Sequence, residues 1–358
     1  MNRVLVGMSG GVDSSVAALL LKLEGREVAG VAMKITGPES GRPEGRTACY
    51  GGDEGLDLAD AEAVARVLGI DFHVIDLTRE YEDRVLGYLR SEYAAGRTPN
   101  PCVRCNAELK FGLLVEACAR AGLEFDNFAT GHYARVRFDP ACGRYLVLKA
   151  ADRAKDQSYF LTLLNQEQLA RALFPLGGRT KREVRRLAEE HGLPVSGKRE
   201  SQDFYAGDYR DLLDKGKPGA VVDTRGNVVG SHSGIENFTV GQRKGLDISS
   251  GGRLYVVGID PAANTVVVGG EEDLMKQVFR VEGINWIAAP PAAEFECLVR
   301  VRYRSPEVGC RVAPVKTGDN GRAQAAEVTL FSPARTITPG QVAAFYDGEV
   351  LLGGGFIF

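Results

Sequence analysis

The chain opens on an apolar strand that runs straight into a glycine turn and an apolar helix: Arg3-Val4-Leu5-Val6-Gly7-Met8, then Ser9-Gly10-Gly11-Val12-Asp13-Ser14-Ser15, then Val16 to Leu23. A short apolar run ended by glycines reads as a buried parallel strand. The glycines let backbone amides approach an anion at the helix N-terminus, and phosphate is the anion such a turn suits. A simple helix start, in which Asp13 and Ser14 cap the first turn, leaves two adjacent glycines after a strand unexplained. The common phosphate loop G-x-x-x-x-G-K-S/T does not fit either, because no lysine follows the glycines.

Up to about residue 200 strands and helices alternate. Glu27 to Met33 and Phe72 to Leu77 read as strands. Leu56 to Leu68 reads as an amphipathic helix with Leu58, Ala61, Val64, Ala65 and Leu68 on one face. Glu80 to Tyr93 and Cys105 to Ala121 read as further helices, and Asn127 to Thr130 as a short strand. This alternation predicts an α/β fold whose parallel sheet is wound by right-handed crossovers, with the ligand at the strand carboxyl ends. After Tyr209, Lys215-Gly216-Lys217-Pro218-Gly219 breaks the pattern and short strands take over. Beyond Glu271 to Lys276, strand-like pieces at Phe279 to Ile287, Phe295 to Arg304, Gly309 to Val315, Ala325 to Phe331 and Gln341 to Tyr346 suggest a small β-barrel or sandwich. The 358 residues exceed one typical domain, so the expected layout is 1–209, a small central domain over 210–275, and 276–358.

A net charge of −3 argues against indiscriminate nucleic-acid binding but leaves room for a local basic face. The basic groups Lys181-Arg182 with Arg185-Arg186, Lys198-Arg199, Arg243-Lys244 and the alternating Arg300, Arg302 and Arg304 each read as solvated surface when taken singly. With no charged-then-apolar leader at Met1 and no stretch near the roughly 20 apolar residues of a bilayer span, a cytoplasmic protein with no membrane partner is expected. Seven cysteines, an odd number, fit metal ligation or sulfur chemistry better than disulfides.

The most specific cluster after the loop is Gly96-Arg97-Thr98-Pro99-Asn100-Pro101-Cys102-Val103-Arg104-Cys105-Asn106, leading into Glu108-Leu109-Lys110-Phe111. Two prolines hold the approach extended, so Cys102 and Cys105 are expected at a helix N-terminus, where the dipole favours thiolate. The residues alone leave half a zinc site, a redox pair, a cluster ligand pair and a reactive nucleophile open.

Ser9 to Ser14 resembles the PP-loop of ATP pyrophosphatases, which implies cleavage of ATP between its α and β phosphates, loop amides with Ser9, Ser14 and Ser15 on pyrophosphate, and Asp13 placing magnesium. The resemblance sharpens with Thr98-Pro99-Asn100-Pro101, Cys105-Asn106, Ala129-Thr130-Gly131-His132-Tyr133-Ala134-Arg135, Lys155-Asp156-Gln157-Ser158-Tyr159-Phe160, Gly241-Gln242-Arg243-Lys244-Gly245-Leu246 and Pro339-Gly340-Gln341. Together these look like the bacterial tRNA-specific 2-thiouridylase family, over essentially the whole chain. That resemblance implies adenylation of the C2 oxygen of the wobble uridine in tRNA, then its replacement by protein-borne sulfur. It implies ATP contacts from Gly7, Met8, Ser9, Gly10, Gly11, Val12, Asp13, Ser14, Met33 and Gly131. It makes Cys105 the nucleophile and lines the target base with Asn100 to Cys102. The anticodon stem-loop of tRNA would be held by Asn100, His132, Lys155, Asp156, Gln157, Arg302, Tyr303 and Gln341, and a separate protein would donate sulfur. Tyr133, Tyr159 and Phe160 are candidate aromatic neighbours for a splayed base, although such residues more often lie in the core.

Two departures stand out. Many relatives have Asp-x-x-Cys where this chain has Cys102-Val103-Arg104-Cys105, and carry a second cysteine in a segment like Ser-Gln-Asp-Ile-Cys-Phe, which here reads Ser201-Gln202-Asp203-Phe204-Tyr205-Ala206. A replacement thiol is expected from Cys49, Cys102 or another cysteine. Cys49, Cys102 and Cys105 could hold a 4Fe–4S cluster with one iron open to sulfide, or Cys105 could bear a persulfide resolved by Cys102 or Cys49. Structural zinc ranks below both because only three ligands are at hand. Cys118, Cys142, Cys297 and Cys310 read as small buried hydrophobes. The competing function is another PP-loop adenylating synthetase acting on a small metabolite, which would leave the extra domains and the C-x-x-C unused.

Overall fold

The computed structural model describes residues 3–37, 48–51, 53–199, 203–205, 207–246, 248, 252–316, 323–335 and 337–358. Its first unit is built on β1 (Arg3–Gly7), flanked by β2 (Glu27–Lys34) and β5 (Asn127–Thr130). Outside these lie β4 (Asp71–Asp76) and β8 (Ala172–Leu173), and all five strands run parallel. The period-two pattern of β1 sorts its side chains to two faces. Val4 and Val6 pack with Val16 and Ala17 of α1 (Val12–Leu23) and with Val184 and Ala188 of the helix Lys181–Glu190. Leu5 packs on the other face with Phe111, Leu114 and Phe128. Helices thus cover both faces, as an all-parallel sheet requires.

Two long helices, 78–94 and 101–120, each contain a stretch of π-winding, at Glu82–Leu86 and Cys105–Leu113. Beside the main sheet, β3 (Ala48–Tyr50) and β9 (Asp203–Tyr205) form a separate parallel pair in which Tyr50 stands opposite Tyr205. The pairing sets Cys49 beside the strand where relatives were expected to carry their second cysteine. Glu200 to Gln202 and Ala206 of that segment, and Gly52 after Cys49, lie outside the described residues.

β6 (Ala134–Asp139) and β7 (Arg144–Lys149) form a hairpin that leaves the parallel sheet. A small four-stranded sheet follows, made of β10 (Gly219–Asp223), β11 (Val228–His232), β12 (Tyr255–Asp260) and β13 (Thr265–Gly269), around Val221, Phe238, Val256 and Val266. The last six strands are β14 (Met275–Trp286), β15 (Phe295–Arg300), β16 (Val308–Lys316), β17 (Ala323–Arg335), β18 (Val342–Asp347) and β19 (Val350–Ile357). They close into a barrel because β14 pairs with both β17 and β19, and Val281, Val299, Val312, Val328 and Phe345 fill it. The barrel resolves the choice left open between barrel and sandwich. Its closing strand β19 was not read from the sequence, and β19 also pairs with β7, so the hairpin of the first unit extends the barrel's sheet. Among the described residues no helix is long and apolar enough to cross a membrane.

Candidate functional site

The turn after β1 is folded on itself. Ser14 Oγ accepts from the Ser9 amide at 3.1 Å and donates to Gly11 O at 3.2 Å, and Ser15 Oγ donates to Gly11 O at 2.8 Å. Gly11 is the N-cap of α1 and no side chain caps that helix, which leaves its first turn for a ligand. Gly10 has φ +67°, and a Cβ there would meet Asp57 O at 2.2 Å. Gly131, just past β5, approaches so closely that a Cβ would sit 2.6 Å from the Ser14 amide nitrogen. Met8 is buried and Met33 ends β2 beside the turn, so the ten expected ATP contacts, Gly7 to Ser14 with Met33 and Gly131, gather at the carboxyl edge of the sheet.

Two lysines complete the turn, and both overturn a reading of the sequence. Lys181 is not solvated: its ammonium donates to Asp13 Oδ1 and Oδ2 at 2.7 and 2.9 Å, while Tyr133 OH donates to Oδ1 at 2.8 Å. Lys198 donates to Gly10 O at 3.0 Å, Asp57 at 2.6 Å and Asp60 at 2.8 Å. Runs of basic residues do not reveal which member turns inward. The partners lie far away in sequence, 168 residues in the case of Asp13 and Lys181. The single carboxylate of Asp13 suits magnesium, which takes one or two protein carboxylates and completes its shell with phosphates and water.

The thiols lie next to this edge. Met33 packs against the cluster of Ile35, Tyr50, Tyr81, Cys105 and Leu109, against which Cys102 also rests. Asn100 caps the 101–120 helix by accepting from the Val103 amide at 3.2 Å, with Pro101 in the first turn. Cys102 stands in that first turn, whereas Cys105 lies one turn in. Burial pushes the Cys105 thiol up to about 11, against the pull of Lys110, and Cys49 and Glu108 push it further. The expected thiolate at rest is therefore corrected for Cys105: burial outweighs the dipole. Cys49 is exposed, Cys102 half-buried and Cys105 buried. Among the described residues no three His, Cys, Asp or Glu side chains are grouped so as to hold a metal ion.

The residues expected to hold tRNA surround this helix in two manners. His132 Nδ1 pairs with Thr130 Oγ1 at 2.8 Å, its ring leans on Phe111 and Phe174, and burial with Lys110 drives its basicity down to about 3. Lys155 is half-buried; Gln157 accepts from the Tyr133 amide at 2.9 Å; Tyr303 lies 4.3 Å from Phe160. Asp156 is turned inward, accepting from the Ala150 amide at 3.0 Å and from Ser158 Oγ at 2.9 Å, with Arg300 at 3.3 Å. Arg302 donates to Thr338 Oγ1 at 2.8 Å, and Gln341 donates to Thr98 O at 3.0 Å and Pro99 O at 3.2 Å. Arg300 and Arg302 are thus engaged in the fold rather than forming a solvated row; only Arg304 is exposed. Tyr133 and Tyr159 are buried at 2% and 0% exposure and cannot stack on a base, which leaves Phe160 and Tyr303. Cys118 is buried as expected, Cys142 is exposed contrary to expectation, and Cys297 faces Cys310 across β15 and β16 with sulfurs 3.6 Å apart.

Lys110, Lys181 and Lys198 were missed as site residues. Only Lys110 lay inside a motif already singled out. The chain matches family models described as the tRNA methyl transferase HUP domain over residues 2–205, the tRNA methyl transferase PRC-barrel domain over 211–270 and the aminomethyltransferase beta-barrel domain over 276–357. It is 46% identical to a tRNA-specific 2-thiouridylase MnmA of Geotalea uraniireducens (strain Rf4), over 99% of this chain and 94% of that one. It is 41% identical to its counterpart of that name from Endomicrobium trichonymphae, over 99% and 98%. With three matched domains in this order and such identity over the full length, the chain belongs to the tRNA-specific 2-thiouridylase MnmA family.

Proposed function

We propose that this tRNA-modifying transferase converts the wobble uridine of tRNA to 2-thiouridine in two half-reactions at one edge of the parallel sheet. The observation that carries the reading is the adjacency of an uncapped, glycine-turned helix start and a set of thiols, bridged by Met33. ATP lies with its phosphates on the first turn of α1. Asp13 would hold magnesium, which would supply positive charge against the triphosphate. The uridine O2, with the N3 proton lost, attacks the α phosphorus and pyrophosphate leaves. O2 departs poorly until it carries the adenylate, which the resident lysines and loop amides stabilise.

Sulfur arrives from a donor protein as the terminal sulfur of a persulfide on Cys105. That sulfur attacks C2, forming Cys105–S–S–C2 and releasing AMP. The thiolate of Cys49 or Cys102 then attacks Cys105 Sγ. A disulfide forms between the two cysteines, the C2–S pair of electrons stays with the base as 2-thiouridine, and a dithiol reductant resets the enzyme. Exposure of Cys49 favours it as the thiol that meets other proteins. The anticodon stem-loop is held by Asn100, His132, Lys155, Gln157, Tyr303 and their neighbours, with Asp156, Arg302 and Gln341 acting through the backbone they brace. A cytoplasmic site of action goes with that substrate.

Purified protein with tRNA, ATP, magnesium and a persulfide donor should form 2-thiouridine, read by nucleoside mass spectrometry. Cys105→Ser should lower thiolation at least ~1000-fold while tRNA-dependent exchange of pyrophosphate into ATP continues. Thiolation by Cys105→Ser, or exchange without tRNA but with a small carbonyl metabolite, would overturn the reading. Three to four irons per chain after anaerobic purification, with activity proportional to iron, would replace the persulfide route by the cluster.

A further inference from the structure

Lys110 lies on the same helix as Cys105, within the π-wound stretch Cys105–Leu113. An α-helix would turn a residue five positions on well away from Cys105, whereas the wider i→i+5 winding returns it towards the same side. The side chain is half-buried. The acid nearest it in sequence, Glu108, is taken by Arg104 at 2.7 Å and Arg84 at 3.7 Å. Among the described residues Lys110 has no carboxylate partner and no hydrogen bond. Three thiols act on its charge: Cys105 of its own helix, Cys102 of the preceding turn and Cys49 of β3. His132, held neutral by burial, also feels the Lys110 charge. A partly desolvated ammonium without a counter-ion is costly, and the cost is offset when an anion occupies the space beside it. The groups present to become anionic there are sulfurs.

We propose that Lys110 is the positioning residue of the thiol cleft, a fixed positive charge that holds the anionic sulfur exchanged among Cys49, Cys102 and Cys105. The proposal rests on the reading of these thiols as the sulfur-handling group. Its charge draws the anionic sulfur towards Cys105 and away from solvent. Arginine could serve the same end, and methionine could not.

The full chain is labelled at constant pH with an anionic and a cationic methanethiosulfonate, and rates are resolved by peptide at Cys49 and Cys102. Exposed Cys142, on the hairpin turn, is the internal reference. In the wild type the anionic reagent should be favoured at Cys49 and Cys102 by about tenfold over Cys142. Lys110→Met should abolish the bias and lower kcat for thiolation about 10- to 100-fold with KM for tRNA unchanged. Lys110→Arg should keep the bias and most of kcat. No bias in the wild type overturns the proposal whatever the variants do. A raised KM for tRNA in Lys110→Met with the bias intact also overturns it and makes Lys110 a phosphate contact. A clear bias in a wild-type protein that forms no 2-thiouridine supports the charge assignment and overturns the sulfur-transfer reading instead.

Discussion

At the nucleotide turn the charges are answered from within: Asp13 by Lys181 and Tyr133, and Asp57 and Asp60 by Lys198. In the neighbouring thiol cleft the polar groups are left over. Among the described residues Lys110 lacks a carboxylate partner, and Asn106 Oδ1 is buried with no partner although its amide donates to Phe160 O at 3.2 Å. One region has its charges paired within the chain. The other is completed by what enters it. Buried polar groups are ordinarily satisfied, so a leftover donor and acceptor beside three thiols set this region apart from the turn.

Disrupting the answered side should have the largest consequence. Asp13→Asn removes the proposed magnesium ligand and strands the Lys181 ammonium. Tight binding of a non-hydrolysable ATP analogue should weaken about 100-fold, and stability should fall by ~1–3 kcal/mol, measured by titration calorimetry and urea unfolding. Equal affinity would show that the turn does not hold the triphosphate. A smaller effect is expected from Gln341→Ala, which frees Thr98 O and Pro99 O. The approach to Asn100 and Cys102 loosens, so tRNA thiolation should fall about tenfold with ATP affinity unchanged, at a cost of about 1–2 kcal/mol. A change in ATP affinity instead would mean the two regions are not separate. The smallest effect concerns His132. Its basicity is depressed in the folded state to about 3 by burial and Lys110, so the unfolded chain takes up the proton first as pH falls. Its contribution to stability is therefore complete above the ordinary histidine range near 6.5 and is lost progressively from there down to about 3. His132→Gln should unfold less steeply over that window, and the wild-type pH profile of tRNA binding should show no step from this residue.

The same contrast explains what could be read from the chain. The turn after β1 was legible because strand, glycines and helix are contiguous, and β1, β2, β4 and β5 matched expectation apart from their ends, whereas β3 was not read as a strand. The thiol cleft draws on β3, on helices 78–94 and 101–120 and on β9, so no short stretch displays it. Cys105 was singled out as a candidate nucleophile, yet its environment opposes the expected thiolate because burial depends on Tyr50, Tyr81 and Phe204 packing from other segments. Lys181 and Lys198 were taken for solvated surface because adjacent basic residues carry no mark of which one turns inward. The hairpin β6–β7 gave no hint that its partner strand lay some 200 residues on, since pairing partners are set by tertiary closure rather than by local pattern.

That hairpin makes the molecule mechanically continuous. It starts just after Gly131 and Tyr133, which approach Ser14 and Asp13 of the turn after β1, while its outer edge is stitched to the barrel at Leu148 and Val350. Lys149, at its end, is locked to Glu307 at 2.7 Å and to Gly348 O at 2.8 Å. A load placed on the barrel is therefore borne by the same ribbon that carries Gly131 to the turn after β1. The barrel is a handle on the active edge, and severing it would leave a torn sheet edge in the first unit rather than an independent domain.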